Sequence, residues 1–205
     1  ASSFAAKVDF STGFGSGSRD IKIGDLDGDG KPELVVANSN TPTISIFRNT
    51  STSGTIDASS FAAKVDFGTG ANAFSVAIGD LDGDSKPDLG VANYYDNTVS
   101  VLQNTSVSGT IDASSFAVKV DFGAVSNPRG VVIGDLDGDT KPDLAVANTG
   151  SNVASVLRNT STGGTIDTSS FAAKVDFNAG SSPLLVAIGD LDGDGKPEMA
   201  TVNSA

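Results

Sequence analysis

The residues best suited to chemistry stand in a nine-residue run, from Asp25 to Glu33, inside the stretch IGDLDGDGKPE. Near-copies begin at Ile78 (IGDLDGDSKPD), Ile133 (IGDLDGDTKPD) and Ile188 (IGDLDGDGKPE), each 55 residues after the last. Four carboxylates packed into nine positions repel one another unless protons or a cation compensate them. Hard cations such as Ca²⁺ take six to eight oxygens at about 2.3–2.6 Å, and alternate positions of a tight turn aim such oxygens to one side. The candidate ligands therefore occupy positions 1, 3, 5 and 9 of each loop. They are Asp25, Asp27, Asp29 and Glu33; Asp80, Asp82, Asp84 and Asp88; Asp135, Asp137, Asp139 and Asp143; Asp190, Asp192, Asp194 and Glu198. Position 7, which is Lys31, Lys86, Lys141 or Lys196, offers its backbone carbonyl. This pattern predicts about one Ca²⁺ per repeat, four in the chain.

Two further positions bear on the turn. Gly28, Gly83, Gly138 and Gly193 hold position 4, where a sharp turn calls for positive φ. Position 6 divides the loops: Gly30 and Gly195 in the first and fourth, Ser85 and Thr140 in the middle two. If the backbone there is also left-handed, Ser85 and Thr140 each carry strain on the order of 1 kcal/mol, and the middle sites bind more weakly. An EF-hand is the obvious rival, but it needs a bidentate Glu at position 12 and flanking helices. Position 12 is Val36, Val91, Val146 or Thr201, and the flanks read as strands. A merely solvated turn does not explain four copies at a fixed spacing. Magnesium seldom takes a cage made wholly of protein oxygens.

The elements that must position these loops follow from hydrophobic patterns of period two. FAAKVDF from Phe61 places Phe61, Ala63, Val65 and Phe67 on one face, with Ala62, Lys64 and Asp66 on the other. SVAIGDL (75–81), LGVAN (89–93) and TVSVLQN (98–104) are short runs bounded by turn signals. SSFAAKVDF and NTSTSGTIDASS also recur with the period. Four hairpin-linked strands per 55 residues describe an all-β chain of four-stranded antiparallel propeller blades, with a stacked β-solenoid as the alternative. The chain, 1–205, reads as one propeller region. An outer strand at 4–10 completes a blade, and repeats at 11–67, 68–122 and 123–177 precede a partial repeat at 178–205. It is expected to be a segment of a longer array, with self-assembly to complete the ring as the other possibility.

Composition removes several function classes. There is no Cys, His or Trp, so no thiol nucleophile, imidazole base or disulfide. The net charge of -12 is local, because the four loops hold 16 of the 25 acidic residues and 4 of the 13 basic ones. The remaining 9 acids and 9 bases cancel, and four divalent ions would bring the charge to -4. No basic stripe suggests nucleic acid, and no apolar run approaches the roughly 18 residues of a membrane helix. The Asn49, Asn104 and Asn159 sequons fall inside the structural repeat and read as unmodified.

The D-x-D-G-D-x-K-P-[DE]-L loop between two short strands resembles the FG-GAP/VCBS repeats of integrin-α-type β-propellers, once per repeat along the whole chain. The resemblance implies a propeller, commonly seven-bladed, with Ca²⁺ in the hairpin between a blade's first two strands, held by the positions named above. VAN (as at 91–93) replaces the GAP triplet, and at the end of the KVDF segment FG survives only at Phe67-Gly68 and Phe122-Gly123. The chain is therefore nearer to the bacterial VCBS type, and animal adhesion partners do not carry over.

Successive loops of an antiparallel blade alternate between two faces. The acidic loop and the NTSTSGTIDASS connection share one face and are nearly identical in every copy. The loops of the other face differ: SNTP, YYDN and TGSN in one set, STGFGSGSRD, GTGANAF, GAVSNPRG and NAGSSPLL in the other. Binding usually resides on loops held by a rigid scaffold. Tyr94, Tyr95, Asp96 and Asn97, with Arg19, Asp20 and Arg129, are the candidate partner-binding residues. The function expected is a secreted or cell-surface calcium-binding propeller that serves adhesion or scaffolding, with a protein, polymer or glycan on the variable face. A lectin-like propeller using Tyr94 and Tyr95 is the alternative. An enzyme is not expected, since calcium claims the paired carboxylates that glycoside hydrolysis would need.

Overall fold

The structure is a computed structural model that describes residues 6–52 and 54–204. Its strands form three four-stranded antiparallel sheets and one hairpin. The first blade holds β1 (Ser18–Gly24), β2 (Glu33–Asn38), β3 (Thr43–Phe47) and β4 (Val65–Gly68). The second holds β5 (Ala73–Gly79), β6 (Asp88–Asn93), β7 (Thr98–Leu102) and β8 (Val120–Gly123). The third holds β9 (Pro128–Gly134), β10 (Asp143–Asn148), β11 (Val153–Leu157) and β12 (Val175–Asn178). β13 (Pro183–Gly189) and β14 (Glu198–Asn203) begin a fourth. Each blade is a meander in which strands pair in chain order. No helix occurs among the described residues, and none is long and apolar enough to cross a membrane.

The core lies between blades rather than inside any one of them. Leu26, Val35, Ile44 and Ile46 of the first blade pack with Val76, Leu89, Val91 and Phe116 of the second. The second and third blades repeat this with Leu81, Val99 and Val101 against Val131, Leu144 and Phe171. A sheet sandwiched on both faces needs a continuous apolar strand, which is why β6 and β10 are buried along their whole length. The first strands of successive blades, β1, β5, β9 and β13, lie beside one another, so the blades fan out from a common inner edge. Glycine permits that approach. A Cβ on Gly79 would stand 2.5 Å from Ile133 Cγ2 of the next blade. The array does not close within the described residues: Ile23 at one end is 67% exposed, and Phe177 at the other is 48% exposed.

Two strand expectations are corrected. Residues 6–10 of the expected outer strand 4–10 make no ladder, and residues 4 and 5 lie outside the described residues. The third strand that would pair with this segment is not among the described residues either. Its side-chain contacts nonetheless survive. Phe10 sits edge-on to Phe61 at 4.9 Å, as Phe67 does to Phe116 at 5.0 Å and Phe122 to Phe171 at 4.8 Å. The fourth strand is also shorter than its alternation suggested. Only Val65–Gly68 pairs with β3, while Phe61 makes a single bridge to Asn49 and Ala63 is exposed.

Candidate metal centre

Each acidic loop joins a blade's first strand to its second, and its own carboxylates fold it. In the first loop Asp25 Oδ2 accepts the Gly30 amide at 2.9 Å, Asp27 Oδ1 the Asp29 amide at 3.2 Å, and Asp29 Oδ1 the Lys31 amide at 2.8 Å. The same bonds recur in the other three loops, where Asp80, Asp135 and Asp190 accept a second amide, from the position-4 glycine. Position 9 has a further task. Glu33 is fully buried and takes the Leu26 amide at 2.7 Å and the Asn49 amide at 3.2 Å, tying the loop to the end of β3. Asp88 and Asp143 do the same for Leu81 and Asn104, and for Leu136 and Asn159. Why Glu accompanies Gly at position 6, and Asp accompanies Ser or Thr, the structure does not explain.

One carboxylate oxygen from each of Asp25, Asp27 and Asp29 comes within 4.8 Å of the others. The fourth loop repeats this with Asp190, Asp192 and Asp194, whereas the middle loops bring together positions 1, 3 and 9: Asp80, Asp82 and Asp88, and Asp135, Asp137 and Asp143. Asp84, Asp139, Glu33 and Glu198 stand in the loops but outside these trios. The donor set is oxygen only, which suits a hard cation and excludes a site built from thiolate or imidazole. The fit is tested by two atoms in particular. Asp25 Oδ1 and Asp27 Oδ2 are buried without any hydrogen-bond partner. A buried, unpaired carboxylate oxygen is costly unless something positive meets it. The acidities agree in direction: burial pushes Asp27, Glu33, Asp82 and Asp143 up, with the neighbouring Asp29 charge adding to the rise at Asp27. Burial raises Asp88 to about 7.

The loops are not equivalent. Position 6 is left-handed in all four, with φ of +82° at Gly30, +70° at Ser85, +73° at Thr140 and +84° at Gly195. The condition for strain in the middle loops is therefore met. The residue after each third strand also differs, and sequence reasoning did not single it out. Gln103 Nε2 donates to Asp82 Oδ2 at 2.6 Å, and Arg158 Nη1 lies 3.9 Å from Asp137 Oδ2. Gln103 also donates to the Gly164 carbonyl at 2.9 Å, as Arg48 does to the Gly109 carbonyl at 3.0 Å, across the blade boundary.

That last bond belongs to a latch that reading the repeats singly did not reveal. The connection after the third strand of one blade caps the acidic loop of the blade before it. Asn104 Nδ2 donates both to Pro87 O of its own loop and to Leu26 O of the preceding one, at 2.9 and 2.8 Å. Ser106 Oγ adds a bond to Leu26 O, and the Gly109 amide one to Asp27 O. Asn159, Ser161 and Gly164 repeat the arrangement on Leu81 and Asp82. Lys86 and Lys141 brace it by donating Nζ to Ser106 O and Ser161 O. The sequon asparagines thus have buried amides committed to the fold.

On the opposite face the expected residues separate into two groups. Asp20 is structural: its carboxylate takes Lys22 Nζ, Ser75 Oγ and the Val76 amide. Asn97 Oδ1 accepts the Asn127 amide of the next blade, and one Asp96 oxygen accepts the Ala71 amide. Tyr94, Arg19 and Arg129 instead gather around Phe74, a residue the sequence reading did not select, and Tyr95 stands edge-on to Tyr94.

With this geometry in place, the matches to known proteins become informative. The family described as FG-GAP-like repeat matches residues 25–91, 83–146 and 135–201. The chain belongs to that family, and its fold is the all-β, four-stranded-blade architecture of a β-propeller. No curated protein matches it. Among solved structures it is similar to hydrazine synthase of Kuenenia stuttgartiensis, with a TM-score of 0.51 and 17% identity. The alignment covers 98% of this chain and spans about half (49%) of that one. At such identity the likeness concerns fold alone.

Proposed function

We propose that the chain is a calcium-stapled propeller module of an extracellular protein, acting by presentation of its variable loop face to a partner rather than by catalysis. The observation that carries the metal reading is the pair of buried, unpartnered carboxylate oxygens in the first loop, Asp25 Oδ1 and Asp27 Oδ2. Asp25, Asp27 and Asp29, and the trios of the other three loops, would hold the ion, which supplies the positive charge that lets the hairpin close. Position 9 anchors the loop to the third strand, and the latch passes the order of one loop to the next blade. Loops built this way suit the millimolar calcium found outside cells, which supports a secreted or cell-surface setting. The acidic groups are absorbed in loop construction, which supports a binding module over an enzyme.

Thermal melting with calcium and with a chelator tests this reading. Each site stabilises by RT ln(1 + [Ca²⁺]/Kd), about 1.4 kcal/mol per tenfold excess over Kd. Four sites therefore predict a rise of many degrees in calcium. An unchanged melting temperature would end the metal reading.

A further inference from the structure

Each first strand carries the same irregularity at its second residue. The register skips Arg19 between Ser18 and Asp20, Phe74 between Ala73 and Ser75, Arg129 between Pro128 and Gly130, and Leu184 between Pro183 and Leu185. A bulge leaves one residue outside the ladder and re-aims its side chain. Here it does so at one end of the inner strands, opposite the acidic loops. The four positions are 55 residues apart, so the bulged side chains of successive blades are neighbours.

Three of them form a cluster. The guanidinium carbons of Arg19 and Arg129 lie over the Phe74 ring, 5.2 and 4.8 Å from its centroid, one from the blade on each side. The two cations are therefore within about 10 Å of one another. Neither makes an ion pair with a carboxylate among the described residues, in a chain whose net charge is -12. Asp20, adjacent to Arg19 in sequence, is engaged by Lys22 and by the second blade's backbone. Arg19 uses Nε on Ser39 Oγ at 3.2 Å. Tyr94 extends the aromatic surface at 5.6 Å from Phe74, and Tyr95 continues it at 5.4 Å from Tyr94, 67% exposed.

We propose that this cluster is a binding site for carboxylate-bearing saccharides, with Arg19 and Arg129 receiving uronate groups and Tyr95 stacking on a sugar ring. It rests on the reading of this face as the partner-binding one. Guanidinium presents a planar fork that matches a carboxylate. Two such forks within about 10 Å of one another suit a ligand that carries more than one carboxylate. The two tyrosine rings stand edge-on at 73°, so the exposed Tyr95 ring offers a face to a sugar ring while Tyr94 braces it. The bulges fix the spacing because each is locked into its own blade.

The test is calorimetric titration of the calcium-loaded chain with hexagalacturonate and with its fully methyl-esterified form, without excess free calcium. Binding of the charged form, weakened at least tenfold by esterification and by rising salt, is the expected result. Arg19→Gln and Arg129→Gln should each weaken it at least fivefold, while Lys119→Gln, just before the outer strand β8, should leave it unchanged. If an arginine variant does not fold, Tyr95→Ala, at an exposed position, carries the same prediction. Equal binding of the two forms, or no binding of either, overturns the proposal. So does poly-glutamate binding as tightly as hexagalacturonate with Tyr95→Ala silent, which would assign an acidic protein instead. The calcium melting shift is measured on the same sample. Its presence without saccharide binding rejects this site alone, and its absence rejects the module reading.

Discussion

Replacing Ser85 and Thr140 by glycine should stabilise the calcium-bound chain. Both residues hold φ near +70°, a region that costs an L-residue roughly 1–2 kcal/mol. Glycine removes that strain but adds about 0.5–1 kcal/mol of unfolded-state entropy. The net gain is about 0.5–1 kcal/mol at Ser85 and somewhat more at the β-branched Thr140. No steric compensation interferes, since a Cβ at the equivalent Gly30 or Gly195 would meet nothing within 4 Å. The two changes are one blade apart and should add, to about 1–2 kcal/mol, or a few degrees in Tm for a chain of this size. Urea denaturation with an unchanged slope measures it directly. The gain should be largest in saturating calcium. In chelator the repelling carboxylates open the loop, and the strain has already been released. The same difference makes the middle sites bind calcium more tightly in the glycine variants. A double variant no more stable than the parent in calcium would refute the argument from backbone strain.

Other perturbations probe other parts of the account. Asn104→Ala removes a buried amide that bonds two carbonyls in two blades, and should destabilise by about 2 kcal/mol or more. A latch role further predicts weaker calcium binding at the loop of the preceding blade in a site-resolved titration. Gly79→Ala forces a Cβ against Ile133 and should lower stability by about 1–3 kcal/mol, whereas Gly189→Ala, with open space around it, should be nearly neutral in the same urea assay. In chelator, pH dependence follows Asp88, whose carboxyl is raised by burial from 3.8 to about 7. Between those values the folded state holds a proton that the unfolded state has released, so this contribution is lost as pH rises from about 4 to about 7. Asp57, Asp112 and Asp167, lowered first by the hydroxyls of Ser59, Ser114 and Ser169, act oppositely and lose their contribution in acid. Melting in chelator should therefore be most resistant near pH 4–5, and calcium should remove the decline above it.

The acidic loops and their strand flanks were legible because local repulsion and period-two alternation are written in neighbouring residues. What was hidden depends on residues far apart in sequence. Asn104 reaches Leu26 across 78 positions, so its role shows only once two blades are stacked. Glu33 was read as one more ligand because a carboxylate at position 9 looks like the others; its task of tying the loop to β3 needs the register of the hairpin. Phe74 lay unremarked in GTGANAF because a bulge is a property of strand pairing, which alternation alone does not reveal. The alternation of FAAKVDF overstated the fourth strand because the chain there bridges to Asn49 once and then leaves the ladder until Val65.

The most direct measurement is a crystal structure grown in calcium, with anomalous scattering recorded to locate the ions. One ion should lie in each of the four acidic loops, in the first within about 2.3–2.6 Å of Asp25 Oδ1 and Asp27 Oδ2. Loops without anomalous density at saturating calcium, with those two oxygens still buried and unpartnered, would contradict the account.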